Sequence, residues 1–233
     1  MKQKSNRKNI IRGIAAMGVY FILPLFNTLP FTLLHIDLNY VPTIVKTIYM
    51  GIYEILMLSF ILLIFHKLII EKWQDLKKHH QTYFQTYFKY WFLLIGLMMV
   101  SNFLIMAFSK DFGGASNQND IIDMFGKSPI YTYLSAVFFA PVIEELIFRQ
   151  AIRNLIPKWD IVFILVSGFI FGGLHVLGAT SFSQFLYIIP YSIPGLVFAY
   201  ILTKTDNIFT TMGLHFFHNG LLMAIQVFIL IFG

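Results

Sequence analysis

The sequence predicts an all-α membrane protein, a helical bundle of about seven transmembrane helices. Its 233 residues are 58% hydrophobic and only 12% charged, and the mean hydropathy is +0.72, values outside the usual range of soluble globular domains. The apolar residues are gathered into runs of about 20, the length that a helix needs to cross a bilayer. The chain contains no Cys, which excludes disulfides, thiol catalysis and cysteine-ligated zinc.

Seven apolar runs are candidates for membrane-spanning helices. The first contains Pro24 and Pro30, which predict a kink or an early end followed by an interfacial piece. It has no small-residue cleavage site after its basic start, so we expect it to remain as an anchor. Pro190 and Pro194 predict a kink in the sixth run. The runs cover about 10–34, 43–68, 88–108, 130–155, 160–178, 183–203 and 208–232.

The placement of the basic residues predicts the topology. With the N-terminus in the cytoplasm, most Lys and Arg residues lie on the inside, and the longest outer loop, residues 110–128, carries three aspartates. The positive-inside rule therefore predicts a multi-pass protein of the cell membrane, with the N-terminus cytoplasmic and the C-terminus outside. The small size of the chain, its Lys- and Arg-rich inner loops and the absence of Cys indicate a bacterial protein. The net charge of +6 comes from basic residues that lie beside apolar segments and set this topology. We therefore expect membrane lipids as partners and no nucleic acid. The residues near the outside are Lys46, Lys110, Lys127, Asp111, Asp120 and Asp123.

Two interpretations fit the connection between the second and third runs, which mixes lysines with Trp73, Tyr83 and other aromatic residues. It is either an amphipathic helix on an anionic leaflet or a solvated loop. No repeat, low-complexity tract or linker is visible. We therefore expect one integral membrane domain, in which N-terminal helices and an outer loop (1–129) precede a C-terminal core (130–233).

The fourth run contains the charges Glu144, Glu145 and Arg149. On insertion scales each charge costs about 2.5–3.5 kcal/mol at the bilayer centre, so these groups must be paired or face water. Glu145 and Arg149 are four residues apart on one helix face, whereas Glu144 points about 100° away. The pattern favours a structural pair, Glu145 with Arg149, and a free Glu144 that faces a cavity. A charge cluster that only holds the bundle together is the alternative.

Two further runs place polar residues inside the membrane. Gly168 and Gly172 form a small-residue face that allows close helix packing, and His175 follows one turn later. His215 and Asn219 lie one turn apart on one face of the seventh run. At about 1.5 Å per residue all these groups fall near the same depth as Glu144. Each imidazole could instead serve as an interhelical hydrogen bond. Glu54, in the second run, is expected to be a packing or supporting carboxylate.

Together the three motifs resemble the CAAX prenyl protease and Abi family of bacterial-type intramembrane endopeptidases. The family pattern is Glu-Glu-x-x-x-Arg, then Phe-x-x-x-His, then His-x-x-x-Asn or Asp, and residues 144–149, 171–175 and 215–219 match it in order and spacing. The match covers about residues 130–225. The His-Glu-x-x-His and Gly-x-Ser-x-Gly signatures of other proteases are missing.

The resemblance implies hydrolysis of a peptide bond in or beside the membrane, and the residue types are adequate for it. We expect Glu144 and His175 to activate a water, His215 and Asn219 to bind the oxyanion, and Glu145 with Arg149 to orient the helix. No cofactor is required on this interpretation. The alternative is a metalloprotease, in which Glu144, His175 and His215 hold zinc.

The substrate class stays open among a peptide signal, a bacteriocin in self-immunity, and another membrane-associated protein. Two hypotheses from other classes also remain. A non-catalytic immunity or scaffold protein could use the same helices for binding, and a proton-coupled transporter would carry similar midplane carboxylates and histidines. Against the transporter, no inverted repeat is visible in the sequence.

Overall fold

A computed structural model of the protein describes residues 7–109 and 115–232. Regular structure within these ranges is exclusively helical, which confirms the predicted all-α class. Lys110 and Asp111 of the predicted outer loop lie outside the described residues. The helices are α1 (Arg7–Ile22), α2 (Leu29–Leu33), α3 (Thr43–Ser109), α4 (Ser116–Lys127), α5 (Pro129–Leu155), α6 (Asp160–Leu174), α7 (Phe182–Phe185), α8 (Ile188–Thr205) and α9 (Ile208–Phe232).

Five helical segments of the described ranges are long and apolar enough to cross a membrane, so the protein is a multi-pass membrane protein. The number differs from the seven predicted runs for two reasons. The second and third runs belong to one helix, α3, and α6 has only 15 residues, about 22 Å at 1.5 Å per residue. The five segments are Arg7–Leu33, Thr43–Ser109, Pro129–Leu155, Phe182–Thr205 and Ile208–Ile229.

Helix α3 is 67 residues long, about 100 Å, or three times the roughly 30 Å of the hydrocarbon core. Near its start, the Glu54 carboxylate accepts a hydrogen bond of 2.8 Å from the Ser135 hydroxyl of α5. Near its end, the Trp91 ring packs on Phe217 of α9. Ser135 and Phe217 lie at a similar height along the bundle axis, because Asn219, two residues after Phe217, donates to the carbonyl oxygen of Ala136. We call the parts of α3 before and after its polar middle, which contains Lys72 and Asp75, its first and second arms. The two arms therefore run in opposite directions along the bundle.

The polar middle of α3 meets the turn between α8 and α9, and we call this level the basic end of the bundle. Lys72 forms an ion pair of 2.9 Å with Asp206. The Asn207 amide donates to the Lys72 carbonyl oxygen at 2.8 Å and to the Asp75 carboxylate at 2.7 Å. The connection between the predicted second and third runs is thus helical, and its interpretation as a loop is wrong. Its contact with an anionic leaflet stays a prediction.

Proline ends the first helix as predicted, and glycine brings two later helices together. Helix α1 stops at Ile22, and a short 3₁₀ turn, Leu23–Phe26, leads to α2. Helix α8 continues through Pro190 and Pro194. A Cβ atom added at Gly172 of α6 would lie 2.8 Å from the Ile188 carbonyl oxygen of α8, which confirms the predicted close packing of this glycine face.

The core is built around α5, whose second half is almost entirely buried. Leu146 and Ile147 are fully enclosed, and they pack with Phe65 of α3, Phe163 of α6 and Ile208 of α9 in one apolar cluster. Dispersion contacts and close packing stabilise such a bundle, because lipid offers no hydrophobic driving force between helices. This packing fixes the middle of α5, where the charged motif lies.

Candidate active site

A cavity of about 180 Å³ lies inside the bundle beside the charged motif of α5. Glu144, His175, His215 and Asn219, the four residues predicted to be catalytic, all line it. Glu145 and Arg149 lie behind the wall and are fully buried. Three helical segments that are distant in sequence therefore bring their polar residues to one space.

The two adjacent carboxylates occupy different environments. Glu144 ends an α-helical stretch, Ala140–Glu144, and a π-helical stretch, Glu145–Ala151, follows it directly. Wide π turns inside α-helices occur frequently at functional sites. The Glu144 side chain is 18% exposed, whereas that of Glu145 is 0% exposed. The separation agrees with the angle of about 100° between successive helical side chains.

A buried charge cluster supports the wall of the cavity. Arg149 Nη2 lies 3.4 Å from Glu145 Oε1, which is the ion pair expected from their spacing. The guanidinium also lies over the Phe171 ring, 4.4 Å from its centroid, and 5.8 Å from that of Phe198. Cation–π contact partly replaces the hydrogen bonds that the guanidinium nitrogens lack within the described part of the chain. The cluster ties α5 to α6 and α8.

His215 lies between the two carboxylates. Its Nδ1 is 2.9 Å from Glu145 Oε1, and its Nε2 is 3.6 Å from Glu144 Oε2. An ionised carboxylate only accepts hydrogen bonds, so Nδ1 carries a proton in this contact. The distance of 3.6 Å is too long for a direct hydrogen bond. Nε2 and Glu144 thus face the same space, from which a water or a substrate oxygen can contact both atoms.

His175 follows the last residue of α6 and is held in one ring orientation. Its Nδ1 lies 2.9 Å from the carbonyl oxygen of Phe171, an acceptor, so Nδ1 is the protonated nitrogen of the neutral ring. The ring stacks on Tyr191 of α8, with 4.7 Å between the centroids and 23° between the planes. The lone pair then resides on Nε2. His175 is therefore equipped to accept a proton in the cavity.

The side-chain amide of Asn219 donates one of its hydrogen bonds to the backbone. Its Nδ2 donates a hydrogen bond of 2.8 Å to the carbonyl oxygen of Ala136, which lies in a second π-helical stretch of α5, Ser135–Phe139. A primary amide has two N–H groups. The bond to Ala136 uses one of them and fixes the side chain, and the second remains for a ligand in the cavity.

Other residues line this cavity that the motifs did not assign to it. His218 is 4% exposed, and its Nδ1 has no hydrogen-bond partner in the described ranges. Tyr191 supports the His175 ring. Asn117 and Gln118 come from α4, in the predicted outer loop. The proximity of His218 to Asn219 in sequence is the one signal that pointed to it, whereas the others depend on tertiary contacts.

The proposed zinc ligands do not form a metal site as they are placed. Across residues 7–109 and 115–232, no group of three or more His, Cys, Asp or Glu side chains is arranged to hold an ion. Nδ1 of His215 contacts Glu145 and Nδ1 of His175 contacts the Phe171 carbonyl oxygen, so Nε2 is the cavity-facing nitrogen of each ring. Glu144, His175 and His215 line one cavity, but as placed these three side chains are not grouped closely enough to hold one ion.

Comparison with known proteins points to membrane peptidases. The family model described as "Type II CAAX prenyl endopeptidase Rce1-like" matches residues 126–221, which contain all three motifs. A protein of Bacillus subtilis (strain 168) named "Putative membrane peptidase YdiL" is 25% identical over 145 residues. That match covers 56% of this chain and 56% of the relative, so the similarity spans little more than half of each protein. No solved structure is similar enough to count as a match. Residues 126–221, which carry the three motifs, are thus similar to the Rce1-like CAAX protease family of membrane endopeptidases.

Proposed function

We propose that this protein is an intramembrane endopeptidase that hydrolyses a peptide bond of a membrane-associated protein or peptide with a water activated by Glu144 and His175. The observation that carries the proposal is the meeting of Glu144, His175, His215 and Asn219 on one cavity. A purely structural cluster would bury and pair all of its charges. Glu144 instead keeps 18% of its side chain exposed and has its nearest charged partner at 3.6 Å.

The first step is deprotonation of the water. The Glu144 carboxylate and the Nε2 lone pair of His175 are the acceptors available in the cavity, and the bond from His175 Nδ1 to Phe171 keeps that lone pair on Nε2. Glu144 takes one proton as the water oxygen bonds to the carbonyl carbon. General base catalysis of this kind contributes about 10²–10⁴ in rate.

The second step is stabilisation and collapse of the tetrahedral intermediate. The second N–H of Asn219 and the Nε2–H of His215 donate to the oxyanion, and one such donor contributes about 2.7–4 kcal/mol in comparable sites. His215 acts here as an imidazolium, protonated on both ring nitrogens between the carboxylates of Glu145 and Glu144. The carbon–nitrogen bond then breaks, and the leaving nitrogen takes the proton from Glu144. The products are a carboxyl group and an amine, and Glu144 returns to its starting state.

Glu145 and Arg149 act as positioning residues in this mechanism. Glu145 accepts from His215 Nδ1, which directs His215 Nε2 towards Glu144. Arg149 neutralises Glu145 and fixes its position through the Phe171 ring. The buried cluster thereby keeps the oxyanion donor in place, because a buried carboxylate without its cation would have to protonate or move.

The class of substrate is suggested by the apolar environment of the cavity and by the peptidase names of the similar proteins. A cavity inside an apolar bundle selects a chain that enters from the membrane, such as a peptide signal, a bacteriocin or a membrane protein. Bacteriocin self-immunity is one role that such cleavage would serve. Lipids surround the protein, and the basic end of the bundle faces the cytoplasm by the positive-inside rule.

Comparison of membrane peptides from cells that carry different variants tests the proposal. We expect the wild type to generate peptides that disappear with Glu144→Gln and with His175→Phe. Glu71→Gln is the matched control, because Glu71 is a carboxylate that is 72% exposed and distant from the cavity. Identical peptides from all variants, at equal expression, would overturn the proposal and favour a scaffold. A proton flux into liposomes that contain the wild type, abolished by Glu144→Gln, would favour a transporter.

A further inference from the structure

A second cavity, of about 200 Å³, shares no lining residue with the first. It lies between the first arm of α3, the start of α5 and the 3₁₀ turn after α1. Its wall contains Glu54, Asn27, the tyrosines Tyr49, Tyr53 and Tyr131, and two methionines. Glu54 is the intramembrane carboxylate for which the proposed mechanism has no role. Such a residue in a membrane helix usually marks a functional site.

The electrostatics of this cavity favour a cation. The Glu54 Oε1 atom accepts a hydrogen bond from Ser135, but Oε2 is buried with no hydrogen-bond partner among the described residues. The Tyr53 hydroxyl oxygen is also buried with no hydrogen-bond partner among the described residues. Lys, Arg and His are missing from the lining residues, and Glu54 forms no ion pair within the described ranges. Carboxylate oxygen, hydroxyl oxygens and aromatic rings all present negative potential.

The residue types distinguish an organic cation from a metal ion. Hard cations such as Ca²⁺ need six or more oxygen ligands, among them carboxylates, whereas this cavity offers one carboxylate beside phenol hydroxyls, Asn27 and two thioethers. An alkylammonium group needs one anionic partner and aromatic faces around its carbon and nitrogen atoms, the arrangement of an aromatic cage. The rings of Tyr49 and Tyr53 are neighbours, with 6.4 Å between their centroids.

We propose that this second cavity binds an alkylammonium group, held by the Glu54 carboxylate and surrounded by the rings of Tyr49, Tyr53 and Tyr131. The Tyr49 hydroxyl donates to the Asn27 carbonyl oxygen at an exposed position, so this part of the cavity wall lies at the protein surface. The ammonium belongs either to a lipid headgroup, such as that of phosphatidylethanolamine, or to a soluble or peptide amine. The proposal does not depend on peptidase activity.

Thermal unfolding of the purified full-length protein in detergent tests the site with two probes, ethylammonium chloride and tetramethylammonium chloride. We expect both salts to raise the Tm above the value in equimolar sodium chloride, for the wild type and for the control Glu71→Gln. Glu54→Gln, which retains the acceptor for Ser135, should weaken the apparent affinity at least tenfold. Tyr53→Leu should weaken it too. An equal shift in sodium chloride, or an unchanged affinity of Glu54→Gln, would overturn the proposal.

A lipid experiment separates the two sources of the ammonium. The wild type and Glu54→Gln are placed in nanodiscs of phosphatidylethanolamine and phosphatidylglycerol, and the retained lipids are measured by native mass spectrometry. Preferential retention of phosphatidylethanolamine by the wild type alone identifies a headgroup. Binding of the soluble salts without lipid preference identifies a soluble or peptide amine. Absence of both effects refutes the site, and the peptides released by Glu54→Gln report separately on peptidase activity.

Discussion

The buried pair of Glu145 and Arg149 makes the sharpest stability prediction. Both side chains are 0% exposed, so Arg149→Met removes the guanidinium from the core and leaves the buried Glu145 carboxylate with the His215 ring as its neighbouring donor. Loss of one member of a buried pair costs about 3–5 kcal/mol of unfolding free energy, and the contacts of the guanidinium with the Phe171 and Phe198 rings are lost as well. The surface pair of Asp123 and Lys127 has the same spacing of four residues.

That surface pair supplies the control for the measurement. Lys127 and Asp123 are 62% and 66% exposed, and an exposed pair contributes about 0–1 kcal/mol. We expect Lys127→Met to leave the free energy of unfolding almost unchanged in an SDS titration in mixed micelles, and Arg149→Met to lower it by about 3–5 kcal/mol. The double variant Glu145→Gln/Arg149→Met should recover part of the loss. Equal values for Arg149→Met and Lys127→Met would refute the reasoning.

Two further predictions concern helix packing and the oxyanion. Gly172→Ala should destabilise the protein by about 1–3 kcal/mol, because the new methyl group would lie 2.8 Å from the Ile188 carbonyl oxygen. Gly173→Ala is the control, because Gly173 has open space around it. This variant should be neutral or slightly stabilising in the same SDS titration. Asn219→Ala should lower kcat by about 10²–10³ with a smaller change in KM, in a cleavage assay with a peptide found by the peptide comparison. A change in KM alone would assign Asn219 to substrate binding.

The sequence was sufficient to predict the helical class and the residues that meet at the first cavity. Polar side chains inside a membrane-spanning helix carry a free-energy penalty, so their positions in the sequence already indicate candidate functional residues. The angle between successive helical residues also separated Glu144 from Glu145. These conclusions needed only local geometry, and the structure brings Glu144, His175 and Asn219 to one space.

Features that depend on tertiary contacts could not be predicted. Hydropathy divides α3 into two runs because its middle is polar, yet the backbone stays helical there and Asn207 and Asp206 bind it. The contact of His215 with Glu145 joins residues 70 positions apart. The bond from Asn219 to Ala136 meets a π-helical stretch that no sequence signal marked.

The most direct test of the central claim is the rate at which purified protein in proteoliposomes cleaves a membrane peptide identified by the peptide comparison. Because a general base contributes about 10²–10⁴ in rate, Glu144→Gln should cleave at least about 100-fold more slowly than the wild type. Glu71→Gln, which alters an exposed carboxylate, should keep the wild-type rate. Cleavage by Glu144→Gln at the wild-type rate would contradict activation of the water by Glu144.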